Sequence, residues 1–217
     1  MTLNVTLILI IITAVSSYYG WKNPTFQNKW MFNPYAVHHD KQYYRLLSSG
    51  FIHSNSVHLL FNMIALFFFG DVIERIYTEL YGQIGILFYL ITYLAGIIVA
   101  NLKTFFKYKD ASYYNSLGAS GGVASILFAS ILYRPTSSIC IYFAICVPAF
   151  IIGAVYLIYS YYSGYRKSDN VNHDAHLFGS LFGIVFTILL RPVVLVEFIE
   201  RIKHFNLYEF QFLSIFF

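Results

Sequence analysis

Apolar and polar positions do not alternate along this chain; they come in long blocks. Six apolar runs stand out, near Leu3–Tyr19, Phe51–Gly70, Leu80–Asn101, Leu117–Tyr133, Ile139–Tyr162 and Ala175–Leu190. About 20 apolar residues at helical rise cross the roughly 30 Å hydrocarbon layer of a bilayer. In lipid every backbone polar group must be satisfied by the protein itself, which leaves helices or a closed barrel. Runs without a two-residue period favour helices. The pattern predicts an all-α, polytopic membrane protein with six transmembrane helices over residues 1–192.

The polar blocks between the runs differ in kind. Gly20 to Gly50 is long and holds Trp21, Trp30, Pro24, Pro34 and several tyrosines, a composition suited to the membrane interface. Asp71–Glu79 reads as a short charged connection, Leu102–Ser116 as a polar loop, Arg134–Ser138 as a tight turn and Ser163–Asp174 as a flexible loop. After Pro192, residues 193–217 are apolar but carry Glu197, Glu200, Arg201, Lys203 and Glu209. Those charges predict an amphipathic tail at the interface rather than a seventh span. Leu3–Val15 lacks the basic start of a signal peptide and is expected to be the first helix.

Composition agrees with a lipid environment. Of the 217 residues, 58% are hydrophobic, 20% aromatic and 11% charged, against about 25% charged in soluble domains. A net charge of +4, spread through loops, leaves no basic patch for nucleic acid. Cys140 and Cys146 fall in one apolar run, six residues apart and on different faces of a helix, so they read as buried thiols rather than a disulfide or a metal pair.

Polar residues inside apolar runs are costly and need a reason. Ser120 stands in Gly118-Ala119-Ser120-Gly121 at the start of the fourth run, where flanking glycines admit a neighbouring backbone. The amides of a first helical turn have no partner within the helix and can hold a developing oxyanion. A serine hydroxyl needs a base, and His176 opens the sixth run in Ala175-His176-Leu177-Phe178-Gly179. Gly179 and Gly183 give that helix a surface for close packing against the glycines beside Ser120. His58 and Asn62 share one face of the second helix and carry donors that suit an anion, although bonds to a neighbouring helix would equally explain them. His53 is expected to be structural. A metal centre drawn from His53, His58, His173, His176 and Asp174 lacks the register of known ligand motifs, and neither a metal nor another cofactor is expected.

These motifs resemble the rhomboid family of intramembrane serine proteases. The resemblance rests on His53-x4-His58-x3-Asn62, Gly118-x-Ser120-Gly121 and Ala175-His176-x2-Gly179, in the family's order and across nearly the whole six-helix core. It implies Ser120 as nucleophile and His176 as general base. It also implies an oxyanion hole of His58, Asn62 and the Ser120 amide, with single-span membrane proteins in the bilayer as substrates. Structural support would come from His53, Gly118, Gly121, Gly179 and Gly183. Tyr44-Arg45 takes the place of the family's Trp-Arg pair, and Glu74 that of an acidic residue supporting the loop of Arg45. Pro148 and Gly153 would weaken the fifth helix, and with the following loop as a cap it would form a gate. The alternative is a pseudoprotease that binds transmembrane segments without cleavage.

The expected setting is multi-pass in a bacterial cell membrane. Orientation is in conflict. Nine lysines and arginines flank the site face (Lys22, Lys29, Lys41, Arg45, Lys103, Lys107, Lys109, Arg166, Lys167) against five opposite (Arg75, Arg134, Arg191, Arg201, Lys203). That excess puts the site face in the cytoplasm; the resemblance puts it outside, with both termini cytoplasmic, and the expectation follows the resemblance.

Overall fold

The computed structural model describes residues 4–141, 145–166 and 171–206. Helix α1 (Val5–Lys22) starts on the Asn4 side chain, which accepts from the Leu7 amide. The long first connection folds into short helices α2 (Pro24–Trp30), α3 (Pro34–His39) and α4 (Arg45–Ser48), the first two opened by Asn23 and Asn33 caps ahead of a proline. Then come α5 (Ser56–Ala65), a π-helical turn (Leu66–Gly70), α6 (Asp71–Tyr81), α7 (Ile84–Tyr108) and α8 (Ser120–Tyr133). A two-stranded hairpin, β1 (Ser138–Ile141) and β2 (Ile145–Pro148), leads to α9 (Ala149–Arg166), α10 (His173–Leu190) and α11 (Val193–Lys203). The core is a cluster of buried side chains from α1, α5 to α8 and α11, with Tyr77, Tyr89 and Tyr93 fully enclosed.

Among the described residues, four helices are long and apolar enough to cross a membrane: Val5–Lys22, Ser56–Tyr81, Ile84–Tyr108 and His173–Leu190. The expected helix at Leu117–Tyr133 is shorter, beginning at Ser120 and spanning 14 residues.

One connection expected to be a loop is helix, and another is helix in its first part. Asp71–Glu79 continues the second span through the π-helical turn as α6, because Glu74 finds partners inside the protein. Glu74 is 7% exposed. Its carboxylate accepts from the amides of Val5 and Thr6, both at 2.8 Å, and from the Thr6 hydroxyl. It thereby satisfies the orphan donors at the start of α1 and faces the positive end of that helix. This overturns the expected role of Glu74 beside Arg45. Arg45 instead donates to Gln42 Oε1 and to the Asn28 and Met31 carbonyls, all within the first connection. Likewise α7 runs on to Tyr108, so Lys103 and Lys107 belong to its last turns.

The expected fifth helix over Ile139–Tyr162 is corrected at its start. Residues 138–148 form the hairpin, in which Cys140 faces Cys146. The two are disulfide-bonded, not free thiols. Pro148, which has no N–H to donate, ends β2 rather than bending a helix, and α9 starts on the next residue. Continuous apolar sequence with Ile139, Ile141, Ile145 and Val147 suits a buried strand as well as a helix, and periodicity alone cannot separate them.

The tail begins with helix α11. Val194 of α11 is buried, and Arg201 donates to the Tyr133 carbonyl at the end of α8 at 2.6 Å. Residues 207–217 of the tail lie outside the described residues.

Replacing Glu74 by alanine strands buried donors, each costing about 1–3 kcal/mol. We expect a clear fall in the thermal midpoint in detergent. Because Glu74 and Arg45 share no partner, the falls for Glu74→Ala and Arg45→Ala should add in the double variant; strong coupling would restore the paired role.

Candidate active site

Ser120 is the first residue of α8, and the segment before it is held from three sides. Ser116 pairs with Phe32 as an isolated antiparallel bridge. The Gly118 amide donates to the Ser49 carbonyl at 2.9 Å. The Ala119 amide donates to His53 Nε2 at 3.2 Å. Since Nε2 accepts, the His53 proton sits on Nδ1, which faces the Ser17 hydroxyl at 3.0 Å. The His53 carbonyl takes the Trp21 indole N–H at 2.7 Å. His53 thus ties α1 to the start of α8 and is fully buried. Burial, and secondarily the neighbouring His58, pushes its pKa down to about 3.

Gly118 has φ +128°, a backbone state that side chains rarely adopt. A Cβ there would lie 2.6 Å from His58 Cε1 and 2.8 Å from Nε2, so the missing side chain lets the imidazole lie against the backbone. His58 Nδ1 faces Ser54 Oγ at 3.2 Å. Asn62, one turn further, is buried and gives one amide hydrogen to the His58 carbonyl at 2.9 Å.

His176 arrives on α10, which starts on an Asn172 cap. Asn172 and Thr104 of α7 are hydrogen-bonded at 3.1 Å. Asp174 is gripped by Lys103 and Lys107, each at 2.9 Å. Further along, α10 crosses α8 at van der Waals limits. A Cβ on Gly179 would lie 2.9 Å from Gly121 Cα and overlap its carbonyl oxygen, and one on Gly183 would overlap the Ser125 backbone. Ser125 Oγ sits against the Gly121 and Gly179 carbonyls, at 2.9 and 2.8 Å. The Tyr156 ring of α9 stacks on His176, with centroids 6.0 Å apart and planes 22° from parallel.

Ser120, His176, His58 and Asn62 all line one cavity of ≈ 1100 Å³. Ser120, His58 and His176 are half-buried. His53 stands behind the cavity wall, and Arg45 lies in the first connection. Glu74 is remote: it meets Thr6, whereas the His53 contact falls near Trp21, roughly 22 Å further along α1 at helical rise. Residues 167–170, part of the loop expected to cap His176, lie outside the described residues.

The chain's similarity to known proteins agrees with this geometry. The family model described as Rhomboid domain matches residues 40–193. This chain belongs to the rhomboid family. It is 30% identical over 185 residues to RHOMBOID-like protein 12, mitochondrial, of Arabidopsis thaliana, covering 79% of this chain and 54% of the relative. It is 29% identical over 174 residues to Rhomboid-like protein 11, chloroplastic, of the same plant, covering 76% and 59%. The chain therefore spans little more than half the length of the curated relatives it matches. With its apolar helices, family membership makes it a multi-pass membrane protein.

Sequence reasoning missed Tyr156, Asn172 and the Lys103–Asp174–Lys107 clamp. Asn172 was findable, as an Asx residue directly before an apolar run. Tyr156 carried no signal, because the facing of α9 depends on a start that the apolar run misplaces.

Two outcomes follow. The folded pKa of His53 lies below its unfolded value near 6.5, so unfolding takes up a proton in between. Stability is lost as pH falls from about 6.5 toward 3, by up to about 1.4 kcal/mol per pH unit from this group. The thermal midpoint of wild type should fall more steeply between pH 7 and pH 5 than that of His53→Gln; equal slopes would refute the neutral assignment. Gly179→Ala should push α10 from α8 and cost about 1–3 kcal/mol, read as a lowered midpoint.

Proposed function

We propose that this rhomboid-family protein is an intramembrane serine endopeptidase that cleaves transmembrane segments of single-span membrane proteins. The supporting observation is the shared cavity wall of Ser120, His176, His58 and Asn62, reached from three helices. Ser120 Oγ attacks the scissile carbonyl while His176 accepts its proton and passes it to the leaving amine. The tetrahedral oxyanion is held by the first-turn amide of Ser120 with His58 and the second amide hydrogen of Asn62. Water then hydrolyses the acyl-enzyme, with His176 again as base. Tyr156 and the α8–α10 crossing hold the imidazole in place. No cofactor takes part.

Substrate enters past α9. Its buried residues are Ala149, Gly153 and Ser160, while Val155, Ile158, Tyr159, Tyr161, Tyr162 and Tyr165 are exposed. A helix with so little buried surface is the one that can part from the bundle. A pseudoprotease that only binds transmembrane segments is the competing reading, and an intact serine and histidine on one cavity favour cleavage over it.

Ser120→Ala and His176→Ala should each abolish cleavage of a single-span substrate panel, and the double variant should lose no more, as for groups acting as a unit. Asn62→Ala and His58→Ala should each lower turnover by about 10- to 1000-fold. A fluorophosphonate probe should label wild type and not Ser120→Ala; an unlabelled, inactive wild type would favour the pseudoprotease.

For the membrane, the relatives' names point to organelles rather than the bacterial cell membrane expected above. For orientation, the site face is toward the reducing compartment, contrary to what the resemblance implies. Two features support this: the nine-to-five excess of lysine and arginine on the site face, and the Cys140–Cys146 disulfide on the opposite face. A cysteine replacing Ser163 should be protected from an impermeant thiol reagent in sealed vesicles of native orientation and be labelled once they are permeabilised; rapid labelling of the sealed vesicles would reverse the orientation.

A further inference from the structure

Away from the cavity, two connections on the site face bring together a donor set that the proteolytic mechanism does not use. His38 and His39 stand in the last turn of α3, and Asp110 follows the end of α7. One ligand atom from each lies within 4.8 Å of the others. His39 Nε2 is 3.5 Å from the Asp110 carboxylate. Two atoms bound to one tetrahedral zinc-sized ion stand about 3.4 Å apart, given bonds of about 2.0–2.2 Å. The three groups therefore need only a small side-chain rotation to share an ion. Asp110 is exposed and can make most of it.

An ion pair alone would need one histidine. Here both rings are held beside the carboxylate by aromatic neighbours. Tyr35 packs on His39 at 4.2 Å between centroids, and Phe105 of α7 meets His38 edge-on at 6.2 Å. The two connections are also already joined. Asn33 Nδ2 donates to the Ser112 carbonyl at 3.3 Å and to Asn115 Oδ1 at 3.0 Å, next to the Phe32–Ser116 bridge. The ordering cost of bringing distant ligands together is thus met before an ion arrives, which favours affinity. Two imidazoles and a carboxylate suit first-row transition ions over magnesium or calcium, which prefer oxygen.

We propose that His38, His39 and Asp110 bind one transition-metal ion of the Zn²⁺ class. The bound ion clasps the first connection to the segment 110–119 that leads into Ser120. The remaining coordination positions are open to water, so the site tightens that segment and does no chemistry on the substrate.

The test is titration of the full chain in detergent at pH 7.5 with Co²⁺, followed by its visible absorption, and with Zn²⁺, followed by the thermal midpoint. Wild type should bind one ion and gain thermal stability. The double variant His38→Ala/His39→Ala should bind at least about 10-fold more weakly, since losing even an outer partner of a ligand costs 10–100-fold. Should that variant misfold, Asp110→Asn keeps the exposed surface and should weaken binding in the same direction. His176→Ala should bind as wild type does. Binding unchanged by the His38, His39 and Asp110 substitutions, binding abolished by His176→Ala, or no binding by wild type would each overturn the proposal.

Discussion

The crossing of α8 and α10 sets how everything else must be arranged. Lipid tails are as apolar as the side chains they would replace, so helices in a bilayer associate through close packing and interhelical hydrogen bonds rather than the hydrophobic effect. Gly179 and Gly183 let the α10 backbone touch that of α8 at Gly121 and Ser125, and Ser125 bonds to a carbonyl of each helix. Toward α7, Gly121 lies against Ala100, and Gly122 against Tyr93 and Ile97. Three helices are thereby locked at glycine contacts. Ser120 and His176, each near the start of its helix, inherit their relative placement from that lock.

Several buried polar groups hold helix ends rather than take part in chemistry. Glu74 satisfies the first amides of α1, His53 receives the Ala119 amide, and Arg45 gathers two carbonyls of the first connection. Lys103 and Lys107 neutralise Asp174 in the first turn of α10. Each is a charged or polar side chain matched to a backbone orphan or an opposite charge, the condition under which burial is tolerated. The cavity differs from these anchors. There His58, Ser120 and His176 stay half-buried beside open space.

Membrane class and helical character follow from residue order alone, because the cost of unsatisfied backbone in lipid acts on any apolar run wherever it lies. The candidate site residues are equally legible: Gly118-Ala119-Ser120-Gly121, His58 with Asn62, and His176 with Gly179 are local patterns at helical spacing. What depends on partners distant along the chain emerges only in the fold. Asp71–Glu79 looked like a loop because its charges seemed to require water, yet Glu74 finds its partners 68 and 69 residues away. Cys140 and Cys146 looked like separate thiols because a helix would turn them apart, whereas a hairpin pairs them directly. Tyr156 gained its place over His176 only once Pro148 had moved the start of α9 to Ala149. Apolar sequence reports where backbone must pair with itself, but not whether it does so as helix or strand, nor which distant group meets each buried charge.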